Sequence, residues 1–229
     1  MPDIEEEFIR DCWYVAGWSG DFTHALTPLR ILDEPIVVFR TEAGVPAALE
    51  DACPHRKLPL SKGRLTGETV ECGYHGLTFD CSGTCVRAPT QDGPPPAVTV
   101  RSYPVEDRWG ILWIWMGDAN KANPDKIFEI PNYDNPAWGR TQGGSMDIAC
   151  HYLYVVDNLL DPSHVAWVHV SSFAGAGTDN LPLDLEKLDD GIIVSRWVMD
   201  APPPPYYEPI LPFSGNCDRK QHYECRLPS

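Results

Sequence analysis

The sequence predicts an α+β fold in two units, a β unit followed by a unit that contains both strands and a helix. Three observations predict it. Short runs of strand-forming residues, bounded by Gly, Pro or Asp, fill the first half of the chain. A segment rich in Asn, Asp and Pro follows Gly117, and these residues break regular structure. Beyond it lies a run with partial helical periodicity. The 229 residues suffice for two compact units of about 100 residues each.

The first half contains several short strand-like segments and one hairpin signal. Ser82-Gly83 supplies turn residues between two apolar runs, which predicts a hairpin there. The segment WGILWIWMG is apolar at nearly every position instead of alternating, so we expect a strand that is buried on both faces. The predicted strands are residues 13–18, 34–40, 45–51, 69–75, 76–80 and 109–117.

The second half is predicted to contain a strand, a helix and a further hairpin. Residues 147–156 are rich in β-branched and aromatic side chains, so we expect a strand there. Residues 157–170 predict a helix with Asp157 as its N-cap. Asp190-Gly191 predicts a hairpin turn. We therefore place the first domain at 8–118, a connecting segment at 119–145 and the start of the second domain at 146–229.

Composition and charge exclude several classes of function. Apolar residues make up 43% of the chain, enough for a core, and the net charge is −15. An acidic chain repels nucleic acid and anionic membrane surfaces, so neither is expected as a partner. The acidic start has no signal-peptide pattern, and the longest apolar run, 111–116, is far shorter than the roughly 20 residues of a membrane helix. We expect a soluble cytoplasmic protein.

Two cysteine–histidine pairs form the most specific motif. Cys53 and His55 lie two residues apart, Cys72 and His75 lie three apart, and sixteen residues separate the pairs. In a reducing compartment such a pattern indicates metal before disulfides. Two thiolates and two imidazoles can form a structural zinc site, or hold a two-iron cluster with two Cys on one iron and two His on the other. The residues alone leave both open.

A second, weaker motif lies in the predicted helix. Asp161 and His164 are three residues apart and would share a helical face. His164 and His169 are five apart, which is roughly 140° around an ideal helix. They can share a metal only if the helix is irregular, and Pro162 is a plausible cause of irregularity because it lacks a backbone donor.

The two motifs together resemble those of a known family. CPHR with CGYHG resembles the Rieske [2Fe–2S] motif. Asp157-x₃-Asp161-x₂-His164-x₄-His169 downstream of it resembles the mononuclear-iron motif of Rieske non-haem iron oxygenases. The resemblance runs from about Phe8 to His169. The segments IRDCWYVAGW, ILWIWMGD and VVDNLLD look most like the branch of vanillate O-demethylase, dicamba monooxygenase and toluenesulfonate monooxygenase.

The resemblance implies a cluster with unlike ligands on its two irons. Cys53 and Cys72 would hold one iron of the [2Fe–2S] cluster, and His55 and His75 would hold the other. Neutral imidazoles in place of anionic thiolates make such a cluster easier to reduce.

The resemblance also implies roles in the second domain. His164 and His169 would bind a mononuclear Fe(II). Asp161 would link the iron helix to His75 of a neighbouring subunit, and Asn158 would lie near the iron.

The same resemblance implies fold, reaction and partners. The first domain would be an antiparallel β unit with the cluster at the tip of two loops, and the second a helix-grip unit, C-terminally truncated in this chain. The family uses O₂ and electrons from an NAD(P)H-dependent reductase or a ferredoxin to hydroxylate a methoxy or methyl group of a small aromatic substrate. A homotrimer is expected.

One part of the family pattern is missing. The mononuclear iron needs a carboxylate as its third protein ligand, and in the family this is an Asp far downstream. Asp218 and Glu224 are the last carboxylates here, and neither lies in a convincing helix. We therefore expect the native gene product to continue beyond Ser229. The alternatives are a Rieske ferredoxin-like electron-transfer protein with a non-functional catalytic remnant, and a zinc-stabilised binding module.

Overall fold

The computed structural model describes residues 8–89, 92–93, 95–169, 171–172 and 177–228. The chain divides into two compact units, with the break between Ser145 and Met146. Mostly antiparallel strands with few helices make up both, as the α+β prediction requires. No helix in these described ranges has the length and apolar character needed to cross a membrane.

The first unit contains eleven strands among the described residues. They form three antiparallel sheets with strand orders β1-β11-β10, β2-β3-β4-β9 and β5-β6-β7-β8. The strands are β1 (Cys12–Trp18), β2 (Thr27–Ile31), β3 (Glu34–Arg40), β4 (Pro46–Glu50), β5 (Arg64–Thr66), β6 (Thr69–Glu71), β7 (Thr78–Phe79), β8 (Cys85–Arg87), β9 (Ser102–Tyr103), β10 (Val105–Arg108) and β11 (Ile111–Met116).

Strand β3 lies at the centre of this unit and is buried on both faces. Val37 and Phe39 pack into a cluster that also contains Leu49, whereas the alternate residues Ile36 and Val38 pack into a second cluster. All four residues of the IVVF run are fully buried. Strand side chains alternate between faces, so one continuous apolar run supplies two cores. Full burial of each large apolar side chain contributes roughly 1.5–3 kcal/mol to stability.

The predicted buried strand at 109–117 is confirmed. Strand β11 directs Leu112, Ile114 and Met116 into the second cluster and Trp113 and Trp115 into a third. The third cluster includes Trp13, whose ring meets that of Trp115 edge to face with centroids 5.4 Å apart. Trp113 and Trp115 are therefore core residues.

The second unit contains two helices and one sheet among the described residues. Helix α1 (Tyr152–Leu160) lies against strand β14. A 3₁₀ turn, Pro162–His164, and the short helix α2 (Val165–Val168) follow α1. The antiparallel sheet has the order β12-β13-β14, with strands β12 (Asp184–Leu188), β13 (Gly191–Ala201) and β14 (Cys217–Arg226). The hairpin predicted near residue 190 is confirmed, because Leu188 pairs with Gly191.

The predicted strand at 147–156 is wrong. Residues from Tyr152 onward form α1, and His151 is the N-cap, since its Nδ1 accepts the N–H of Leu153 at 3.2 Å. Asp157 lies inside the helix and is not its N-cap. Tyr and Val favour strands only where a sheet receives them, and here β14 packs against the helical face that Val156 and Leu160 form.

The predicted helix at 157–170 is interrupted. Helix α1 ends at Leu160, and Asp161 adopts an extended conformation (φ −99°, ψ 90°). A residue before proline is disfavoured in the helical region, so Pro162 is the cause. The helix resumes only at Val165–Val168. Val170, the last residue of the prediction, lies outside the described residues.

Glu34, at the start of β3, collects a charged network in the first unit. Its carboxylate accepts hydrogen bonds from Arg10, from Arg101 Nη1 (2.9 Å) and from Tyr103 Oη (2.7 Å). Burial opposes ionisation most, but the Tyr103 and Arg10 hydrogen bonds and the Arg101 charge together outweigh it. The pKa of Glu34 is lowered as a result.

We predict that Glu34→Gln destabilises the chain at neutral pH and that this loss shrinks in acid. A lowered carboxyl pKa contributes stability above the unfolded-state value, about 4.5, and that contribution is lost as pH falls through the folded-state pKa. Urea denaturation between pH 3 and pH 7 measures it. The network is unimportant if the two stability curves run parallel across that range.

Candidate metal centres

Cys53 begins a tight loop directly after strand β4. Its N–H donates to the Leu58 carbonyl (2.9 Å), and its carbonyl accepts the N–H of Lys57 (2.8 Å). Lys57 closes the loop in the left-handed region, at φ +56°. The backbone N–H groups of His55 and Arg56 are directed at the Cys53 sulfur. The loop therefore supplies a thiol already surrounded by backbone donors.

Cys72 begins a second loop with the same hydrogen-bond pattern. Its N–H donates to the Leu77 carbonyl (2.8 Å), and its carbonyl accepts the N–H of Gly76 (3.0 Å). Gly76 occupies the same place as Lys57 in the first loop and is also left-handed, at φ +71°. The histidine is the third residue of the first loop and the fourth of the second.

The two loops bring the four predicted ligands together in like pairs. Cys53 and Cys72 are each 2% exposed, and their thiols are in hydrogen-bond contact. The rings of His55 and His75 have centroids 4.6 Å apart and are inclined by 57°. Burial, and then the adjacent Cys72, raise the pKa of the Cys53 thiol, although the backbone donors oppose this.

This arrangement fits a [2Fe–2S] cluster. Two buried thiols at the inner end match one iron, two imidazoles at the outer end match the other, and backbone N–H groups suit cluster sulfur. A pocket of about 260 Å³ lies beside the imidazoles, with Pro54, Leu77 and Val98 among its walls. The ring of Tyr74 stacks on His75 with centroids 3.9 Å apart.

Asp51 and Ser61 close the first loop from behind, and the sequence did not reveal them. Asp51 is buried, and its carboxylate accepts both the backbone N–H and the hydroxyl of Ser61, each at 2.6 Å. These bonds join the end of β4 to the 3₁₀ turn Leu60–Lys62. Two polar residues ten positions apart in a loop have no periodicity, so only their position on either side of CPHRKLPL was a signal.

His164 and His169 approach each other in the second unit. Their ring centroids are 5.4 Å apart, in an edge-to-face arrangement. His164 ends the 3₁₀ turn, and His169 lies just past the last residue of α2. The irregular backbone thus removes the separation of about 140° that an ideal helix would impose.

Local hydrogen bonds orient His164 and Asp161. The His164 Nδ1 lies 2.6 Å from the Asp161 carbonyl, so Nδ1–H donates and the Nε2 lone pair stays available for a metal. The Asp161 carboxylate accepts the Ser163 N–H at 2.9 Å. Hydrogen bonds from the Ser163 hydroxyl and N–H, and then the charges of His164 and Arg196, lower the pKa of Asp161.

Asn158, Asp218 and Glu224, the other residues considered in the sequence, do not supply a third ligand beside His164 and His169. Asn158 is exposed in the last turn of α1. The Asp218 carboxylate accepts the N–H of Asp200 (2.8 Å), and Glu224 pairs with Arg226 and His222. Among the described residues, no group of three or more His, Cys, Asp or Glu side chains is arranged to hold one metal ion.

A second pocket, of about 310 Å³, lies between α1 and β14. Val156, Leu159 and Leu160 of the helix and Tyr223, Glu224 and Cys225 of the strand line it. It is mainly apolar, with a carboxylate and a phenol at the sheet side.

Two family models match this chain. Residues 12–104 match the Rieske [2Fe-2S] domain, and residues 148–229 match the vanillate O-demethylase oxygenase C-terminal domain. The first match agrees with a two-iron cluster, rather than a single zinc, as the group that the cysteine loops hold.

Similar proteins and structures share this combination. The iron–sulfur subunit of a toluene-4-sulfonate monooxygenase system from Comamonas testosteroni is 38% identical over 97% of this chain and 65% of its own length. The oxygenase component of dicamba O-demethylase from Stenotrophomonas maltophilia is 43% identical over 85% of this chain and 55% of its own.

A solved structure of dicamba monooxygenase bound to 3,6-dichlorosalicylic acid superposes with a TM-score of 0.89. It is 34% identical, and the match covers 97% of this chain and 66% of that one. The chain thus spans somewhat less than two thirds of the length of the relatives it matches.

We predict that Gly76→Ala destabilises the first unit by about 2–4 kcal/mol. Alanine is strained at φ +71°, which costs roughly 1–2 kcal/mol, and its Cβ would lie 2.9 Å from Pro89 Cγ. Gly44→Ala is the matched control, because Gly44 has φ +81° with nothing within 4 Å. Urea denaturation should show a clearly larger loss for Gly76→Ala, and equal losses would contradict the steric part of this account.

Proposed function

The chain belongs to the Rieske non-haem iron oxygenase family, with a Rieske [2Fe–2S] domain followed by a vanillate O-demethylase-type domain, and we propose that it is the oxygenase component of a monooxygenase acting on a methoxy or methyl group of a small aromatic compound. Two sets of side chains suited to binding metal, one set in each unit, support the proposal: the four residues Cys53, Cys72, His55 and His75, and the pair His164 and His169. The names of the relatives, demethylases of vanillate and of dicamba, support the reaction class.

The chain's residues have separable tasks in this proposal. Cys53 and Cys72 would hold one iron of the cluster, and His55 and His75 the other. His164 and His169 would hold Fe(II), with His164 oriented through its Nδ1–H bond to the Asp161 carbonyl. When bound, the cluster supplies single electrons and the mononuclear iron supplies O₂ activation.

The second pocket suits an aromatic substrate. Val156, Leu159 and Leu160 offer apolar contact for a ring, and α1, which carries them, leads directly into the turn that carries His164. Apolar walls exclude water from the reacting group. Asn158 belongs to the same helix, and we assign it a place near the iron.

The balance of the reaction names the other reactants. An aromatic methyl ether, O₂, NAD(P)H and a proton would give a phenol, formaldehyde, water and NAD(P)⁺. Hydroxylation of the methyl carbon forms a hemiacetal, and its C–O bond breaks to release formaldehyde. Electrons would come through a separate reductase or ferredoxin, in keeping with relatives described as components and subunits of systems.

The assembly and location belong to the same proposal. We place the protein in the cytoplasm, as a homotrimer in which Asp161 reaches His75 of a neighbouring copy. Head-to-tail contacts of this kind close into a ring. The exposed position of the Asp161 carboxylate supports such a contact.

The test is turnover by the native gene product with a reductase, NAD(P)H and a panel of aromatic methyl ethers. We expect substrate-dependent O₂ uptake with one formaldehyde per phenol formed. His169→Asn should abolish this uptake while the visible spectrum of the cluster persists. A protein that accepts electrons in its cluster but consumes no O₂ with any substrate would instead be a ferredoxin-like electron carrier.

We predict that Asp161→Asn leaves both metal sites filled and slows electron transfer between them about 10- to 100-fold, since groups that orient ligands commonly act on that scale. Stopped-flow reoxidation of the reduced cluster, on mixing with O₂ and substrate, measures the rate. Glu186→Gln, on an exposed position of β12, is the charge-matched control. Unchanged reoxidation in Asp161→Asn would remove Asp161 from the electron path.

A further inference from the structure

Arg196 is the only lysine or arginine that is buried among the residues the structure describes, at 2% exposure. It lies on β13, the central strand of the second sheet. Burying a guanidinium costs several kcal/mol of desolvation unless its donors are satisfied. The hydrogen bonds of Arg196 must therefore compensate for the burial of its charge.

Each of the three guanidinium nitrogens donates to one acceptor, and all three acceptors are uncharged. Nη2 donates to the Pro162 carbonyl (3.1 Å), Nη1 to the Thr178 carbonyl (2.9 Å) and Nε to Gln221 Oε1 (2.5 Å). The acceptors come from three separate segments: the turn after α1, the chain before β12, and strand β14. The rigid fork of an arginine suits this better than a lysine, whose ammonium is a compact point charge.

Pro162 is the first residue of the turn that presents His164. Its carbonyl also accepts the N–H of Val165, so one carbonyl receives both the turn's own bond and the Arg196 bond. The next bond in the series is from His164 Nδ1 to the Asp161 carbonyl. The sheet is thereby connected to the imidazole through two hydrogen bonds and one turn.

We infer that Arg196 is a positioning residue, which fixes the Asp161–His164 turn on the sheet and so holds His164 in the orientation that leaves Nε2 free for a metal. The identity of that metal rests on the proposed function. The hold of Arg196 on the turn, and its effect on the orientation of His164, do not depend on the proposed function. Neither residue type nor spacing in the sequence connects Arg196 with the histidines 32 and 27 positions before it.

Histidine NMR tests the geometric part without any metal. In ¹⁵N-histidine-labelled chain, the His164 signal, assigned by its loss in His164→Gln, should show Nδ1 protonated. Arg196→Met should give a mixture of tautomers, and Arg196→Lys, which keeps the charge without the fork, an intermediate result. Arg219→Met is the control, since Arg219, on β14 of the same sheet, also donates to a carbonyl, that of Pro202 just after β13, and it should leave the signal unchanged.

Co²⁺ titration of the same proteins tests the metal part. We expect Arg196→Met to weaken Co²⁺ binding at His164/His169 about tenfold while the cluster content stays constant. If Arg196→Met does not fold, Arg196→Lys decides with the same two readouts.

The outcomes separate the inference from the proposed function. An unchanged His164 tautomer in both Arg196 variants overturns the inference, whatever the metal result. A tautomer change, in a native gene product whose unsubstituted form binds no Co²⁺ at these histidines, supports the hold of Arg196 on His164 and overturns the iron site.

Discussion

Burial of Cys53 and Cys72 in one hydrophobic cluster is the constraint on which the first unit depends. Both thiols belong to the hydrophobic cluster that contains Val37, Phe39 and Leu49. The two loops that would hold the [2Fe–2S] cluster are therefore an extension of the core. Burial raises the pKa of the Cys53 thiol, which disfavours a bare thiolate in the apo-protein. Metal binding requires deprotonated sulfur. Filling the site would therefore require loss of the Cys53 thiol proton within the apolar core of this unit.

The second unit brings together two histidines, His164 and His169, that a regular helix would separate. Pro162 ends α1, and the extended Asp161 lets the chain turn before α2 begins. The interruption removes backbone hydrogen bonds, and the structure replaces them with the Asp161 cap on Ser163 and the Arg196 contact to Pro162. The irregular backbone beside His164 is thus stabilised by one local side chain and by one from the sheet.

The sequence predicted the features that depend on residue type at fixed spacing. The Cys/His pairs and the doubly buried run at 111–116 are of this kind. Helix α1 was misassigned because Tyr and Val favour strands locally, and only packing against β14 selects the helical period. Asp51 and Arg196 could not be identified from the sequence for another reason. Their hydrogen-bond partners lie 10 to 34 positions away along the chain, and only folding brings them together.

The two cysteine loops share a backbone pattern, yet their histidines, His55 and His75, differ in exposure. The backbones of the Cys53 and Cys72 loops match, yet one left-handed position holds Lys57, and the other holds Gly76 beneath Pro89. His55 is exposed, whereas His75 is partly covered and carries the Tyr74 ring. Solvent therefore has readier access to the His55 ring than to the His75 ring.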